Sequence, residues 1–115
     1  MKKIGILGSN GFLSRNLHKF LNKNKYKYYF IGTKKSDIKC NYFEVLDLIK
    51  IIEKYKFDTI INCVGFTKID EVSNLKNLCT KLNVKVVENL VEAILASKNT
   101  PYLIHFSTDH LYHKK

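Results

Sequence analysis

The sequence predicts an α/β fold built on a doubly wound parallel sheet, and three observations predict it. Short apolar-rich runs alternate with amphipathic helical patterns along the whole 115-residue chain. The connections between them are short, and alternation of this kind implies parallel strands joined by right-handed crossovers. The first run leads into a glycine-containing loop that opens a helix, where free N–H groups and the helix dipole favour an anion.

The elements follow in order. "KKIGILG" (2–8) is a short, mostly apolar strand. "FLSRNLHKFLNKN" (12–24) places Phe12, Leu13, Leu17, Phe20 and Leu21 on one helical face with polar residues opposite. "YKYYFIG" (26–32) is aromatic and β-branched, hence a strand. "EVLDLIKIIEKYK" (44–56) returns to helical spacing through Val45, Leu48, Ile51, Ile52 and Tyr55, and "DTIINCVG" (58–65) is a buried strand. The longest helical pattern spans 74–99, with Leu78, Leu82, Val86, Leu90 and Ile94 at spacing four. Pro101 bars further helix, and "YLIHFS" becomes the fourth strand. The expected path is β-α-β-α-β-α-β, with strand order 3-2-1-4. Ligands in such sheets sit at the carboxyl ends of the strands.

Composition narrows the partners. The net charge of +10 raises nucleic acid as a partner, but the lysines are spread along the chain and Arg15 is the only arginine. Arginine is the residue suited to bidentate base and phosphate recognition, so the charge reads as a solvated basic surface. Cys40, Cys63 and Cys79 show no metal-ligand spacing and read as small buried hydrophobes in a reducing cytoplasm. The apolar run after Lys2 and Lys3 breaks at Ser9-Asn10-Gly11, too soon for a signal peptide. No apolar stretch is long enough for a membrane span. A cytoplasmic protein is expected, with no membrane and no nucleic-acid partner.

The loop "GILGSNGFLSRNL" carries the strongest chemical signal. Gly8 lets the chain turn off the strand, and Gly11 leaves room for a pyrophosphate at the helix N-terminus. Ser14 suits close packing of the helix on the sheet. A glycine pattern counts only where it follows a strand and opens a helix, as here. After the second strand, "FIGTKKSD" offers Thr33, Lys34, Lys35 and Ser36 before Asp37. Hydroxyls and lysines suit a 2′-phosphate, so NADP(H) is favoured over NAD(H).

Four stretches in register then carry a resemblance: "GSNGFLSRNL", "CNYFEVLDLIKIIEKYKFDTIINCVGFTKIDE", "KLNVKVVENLVEAI" and "LIHFSTDHLY". The chain resembles the extended short-chain dehydrogenase/reductases, and within them the nucleotide-sugar reductases of the dTDP-4-dehydrorhamnose reductase type. The resemblance implies a Rossmann fold over 1–115, with a separate sugar-binding lobe absent. It implies that Gly8, Asn10, Gly11, Phe12 and Leu13 cradle the cofactor pyrophosphate, with Thr33 and Lys34 beyond the second strand. Asn41 and Tyr42 would lie near the adenine, although Asn41 lacks the charge of the family's Asp. Cys63, Val64 and Gly65 would run along the cofactor ribose, Thr67 keeps the family's hydroxyl, and Asn83 matches a family asparagine near the cofactor. Thr108 would hydrogen-bond the substrate carbonyl as a catalytic group, with Asp109 beside it in the substrate pocket. No metal is implied.

The resemblance also implies a proton-donating Tyr with a Lys four residues later. None of the seven tyrosines has that lysine. The chain is therefore expected to be the cofactor-binding portion of a 4-keto sugar reductase, truncated at its C-terminus and inactive alone. Its fourth strand would be an exposed edge open to self-association. A non-catalytic NADP-binding regulatory module, or part of a nucleotide-sugar epimerase or dehydratase, is the alternative.

Overall fold

The computed structural model describes residues 2–8, 12–33, 36–64 and 73–106, with side chains described from residue 13 in the first helix and from residue 81 in the third. The elements are β1 (Lys3–Leu7), α1 (Phe12–Lys23), β2 (Lys27–Gly32), β3 (Ile38–Lys39), α2 (Val45–Tyr55), β4 (Thr59–Asn62), α3 (Ser73–Ala96) and β5 (Tyr102–His105). All strands pair in parallel, in the order β3-β2-β1-β4-β5.

The α/β class and the alternation are as the sequence predicts. The strand layout needs one correction. The stretch expected to lie beyond the second strand, β4, instead pairs with β1 through Ile4↔Thr59 to Leu7↔Asn62. The place beside β2 is taken by β3, two residues long and too short to show an alternating pattern. Just before it, the Asp37 carboxylate accepts the Phe30 N–H at 2.9 Å. The turn is thereby held against β2, and Ile38 pairs with Ile31.

Alternation along each strand sorts the core into two layers. Leu7, Ile31 and Ile60 point to the face covered by α2 and α3, where they meet Leu48, Ile52, Val86, Leu90, Ala93 and Ile94. Ile6 and Ile61 point to the opposite face and pack with Leu21 and Leu17 of α1. Each fully buried Leu or Ile contributes roughly 1.5–3 kcal/mol of transfer free energy. Gly5 makes room for this packing: a Cβ there would meet the Phe57 ring at 3.2 Å and Ile31 Cδ1 at 3.1 Å.

The helical stripes read from sequence match α2 and the described part of α3. In α1, Phe20 departs from expectation. It is 57% exposed and stacks on Tyr26, ring centroids 6.5 Å apart. Successive helical residues are about 100° apart, so once Leu21 and Ser14 face the sheet, Phe20 is turned toward solvent.

Candidate functional site

The carboxyl ends of β1, β4 and β5 lie side by side, and the turn off β1 is tightly constrained. Gly8 has φ +94°, a backbone state that side chains disfavour, and a Cβ on it would meet the Cys63 carbonyl carbon and the Val64 nitrogen at 3.1 Å each. The glycine thus serves a sharp turn and a close approach of the β4 loop at once. Its N–H donates to the Ile31 carbonyl at 3.0 Å. The Ser14 hydroxyl donates to its carbonyl, and Ser14 is buried where α1 meets the sheet.

Tyr42 reaches the same point from below. Its ring is buried, and its hydroxyl donates to the Ile31 carbonyl at 3.1 Å. Burial pushes its phenol up to about 12, with neighbouring Cys40 adding to the shift and the Gly8 backbone opposing it. The Cys40 thiol is pushed up to about 12 by burial and by Asp47. Asn89 of α3 donates to the Tyr42 carbonyl at 3.2 Å and anchors this segment from the helix side. Asn41 is exposed, and its side-chain oxygen accepts the Phe43 N–H at 3.0 Å.

At the end of β4, Cys63 is half-buried and its N–H donates to the Leu7 carbonyl at 2.9 Å. Burial raises its thiol pKa, partly offset by a hydrogen bond with the Ser14 side chain. Asn62 is buried, its oxygen accepting the Val64 N–H at 3.1 Å and its amide nitrogen lying 3.1 Å from His105 Nδ1 on β5.

The structure therefore brings Gly8, Tyr42, Cys63 and Val64 together. Leu13 is half-buried in the first turn of α1, Thr33 is exposed just beyond β2, and Asn83 is half-buried on α3. Phe12 opens α1. Asn10, Gly11, Lys34, Gly65, Thr67, Thr108 and Asp109 lie outside the described residues. Sequence reasoning gave the Asn62–His105 pair no role together. The available signal was a polar residue ending each of two apolar strands, but only the register Asn62↔His105 makes them neighbours.

Two described features bear on whether an anion could sit at the turn between β1 and α1. Gly8 turns the chain sharply with φ +94°, and α1 carries no acidic residue in its first turn, where Arg15 stands. A helix N-terminus without an acidic first turn is favourable to an anion. Among the described residues, no three His, Cys, Asp or Glu gather as a metal site, and no helix is long and apolar enough to cross a membrane.

A family model described as the RmlD substrate binding domain matches residues 1–114. The chain is 29% identical over 114 residues to a dTDP-4-dehydrorhamnose reductase of Aggregatibacter actinomycetemcomitans, covering 97% of this chain and 36% of that one. It is 25% identical over 114 residues to methionine adenosyltransferase 2 subunit beta of Pongo abelii, covering 96% and 34%. Among solved structures, a dTDP-4-dehydrorhamnose reductase of Bacillus anthracis in complex with NADP shares the fold. Its TM-score is 0.71 at 23% identity, over 90% of this chain and 35% of that one. The chain thus spans 36% and 34% of the length of the two curated relatives.

Proposed function

The chain belongs to the RmlD substrate binding domain family, and from that premise we propose that it is the dinucleotide-binding portion of an NADPH-dependent nucleotide-sugar reductase. One observation carries the reading. At the carboxyl edge of a parallel sheet stands a glycine with positive φ, where an added Cβ would come within 3.1 Å of the next loop, and it precedes a helix with no acid in its first turn. The Gly8 turn and the N-terminus of α1 would receive the pyrophosphate. Cys63 and Val64 would line the ribose side, and Tyr42 would act through the Gly8 turn it supports.

NADPH is favoured over NADH by the residue types that follow β2. The acidic residue after β2, Asp37, already accepts the Phe30 N–H, which leaves Thr33 and Lys34 for a 2′-phosphate. Solved structures that share the fold hold NADP in the Bacillus anthracis reductase and NAD in a UDP-glucose 4-epimerase of Brucella ovis, which supports a nicotinamide dinucleotide of either kind.

The chemistry a bound NADPH supplies is hydride donation to a carbonyl carbon. Thr108 would donate its hydroxyl hydrogen bond to the carbonyl oxygen of a 4-keto sugar, with Asp109 beside it. Protonating the resulting alkoxide needs an acid, and no tyrosine of the 115 residues has a lysine four positions later. The chain alone is therefore expected to bind and not to turn over.

Titration of the purified chain with NADPH and NADH, followed by nucleotide fluorescence, tests this. NADPH should bind tighter by at least about tenfold, or 1.4 kcal/mol, and Lys34→Ala should narrow the gap. Absence of binding to both nucleotides would overturn the reading. The match to a protein named as a subunit of an adenosyltransferase favours one second reading, a dinucleotide-binding module that catalyses nothing. Reduction of a dTDP-4-keto sugar by a longer protein containing these residues would exclude it.

A further inference from the structure

We propose that Asn62 is a positioning residue that locks His105 in its Nε2–H tautomer, and that the pair ties the carboxyl end of β4 to the carboxyl end of β5. The assignment follows from hydrogen-bond polarity. The Val64 N–H, 3.1 Å from the Asn62 side chain, can only donate, so the amide oxygen faces Val64. The amide nitrogen then faces His105 Nδ1 at 3.1 Å and can only donate. His105 Nδ1 must therefore be bare, and the neutral ring carries its proton on Nε2.

The alternative orientation is costly because Asn62 is only 1% exposed. A flipped amide would set its NH2 against the Val64 N–H, leaving donors facing donors where water does not reach. Two backbone bonds flank the pair: Phe106 N–H to the Asn62 carbonyl at 3.3 Å and Cys63 N–H to the Leu7 carbonyl at 2.9 Å. A continuous line runs from His105 through Asn62 to Val64, whose nitrogen lies 3.1 Å from where a Cβ on Gly8 would be. Beyond His105 the chain leads to Ser107, Thr108 and Asp109. In sequence the pair directly precedes the segment proposed to hold the sugar, and in space it lies beside Val64 of the segment proposed to hold the dinucleotide; to that extent its functional role rests on the proposed function.

Two readouts do not depend on any ligand. Long-range 1H–15N spectra of the imidazoles in the full chain should show His105 with a bare Nδ1 and a protonated Nε2. In Asn62→Asp the carboxylate can accept but not donate, so His105 should switch to the Nδ1–H tautomer. Should that variant not fold, His105→Phe decides the coupling, since the position is exposed and the change adds no buried charge. There, amide exchange at Val64 should quicken by about three- to tenfold as local opening becomes easier. Where NADPH binds the wild-type chain, its affinity should weaken by about as much in the same variant, the same anchor being lost.

An Nδ1–H tautomer in the wild-type chain, or unchanged Val64 exchange in His105→Phe, would overturn the proposal. Failure of NADPH to bind, with tautomer and exchange as expected, would instead overturn the dinucleotide reading and leave the Asn62–His105 lock standing.

Discussion

A side chain at position 8 is disfavoured for two separate reasons: the φ of +94°, and the Cys63–Val64 backbone that a Cβ would meet at 3.1 Å. Gly8→Ala should cost about 1–3 kcal/mol from the strained backbone alone, and it should abolish dinucleotide binding; urea denaturation and nucleotide titration measure the two effects. Tyr42 is a gentler test of the same turn. The Ile31 carbonyl keeps the Gly8 N–H when the phenol is removed, so Tyr42→Phe should lose only about 1 kcal/mol and weaken nucleotide binding through the turn. Tyr42 and Cys40 also give the fold a alkaline limit. Both are raised to about 12 from ordinary values of 10.0 and 9.0, so the unfolded chain gives up its protons first. Their contribution to stability is full below about pH 9 and is lost as pH rises toward 12. The urea midpoint should fall across that window, and Cys40 should resist thiol reagents until the fold opens.

Elements with a long enough pattern were legible in the sequence, and those without one were not. The spacing-four stripe of α3 identified its buried side, and Val86, Leu90 and Ile94 are buried where expected. Leu90→Ala, at 0% exposure in mid-helix, should therefore cost about 2–5 kcal/mol in urea denaturation. The two residues of β3 carry no periodicity, and missing them put the stretch 58–65 on the wrong side of β1. Parallel strands record no order in their own composition; the layout depends on which crossover reverses direction, and α2 does so only because β3 comes first. The glycine turn was readable because its constraint is local. The Asn62–His105 pair was not, because its partners are 43 positions apart and meet only through strand register.

At the scale of the whole molecule, the sheet is unevenly covered. Tyr102, Ile104 and Phe106 are 80%, 45% and 42% exposed, and the register Ile61↔Ile104 puts Ile104 on the α1 side of the sheet. Helix α3 cannot shield them, since it packs on the opposite face with Leu103. Among the described residues β5 pairs only with β4, so its other edge offers unpaired N–H and C=O groups beside an apolar face. Such an edge is a template for a second strand. The outer side of α3 adds Val84, Val91 and Leu95 to the exposed apolar surface. The net charge of +10 opposes association at low salt, and that repulsion is screened as ionic strength rises. Sedimentation velocity on the 115-residue chain should therefore show association that grows with concentration and with salt. Ile104→Lys places a charge on the exposed face of the edge strand and should reduce it, because a second strand pairing there would have to bury that ammonium. Association that ignores Ile104→Lys would move the contact to the exposed side of α3, where Leu95→Lys would then be the substitution that dissolves it.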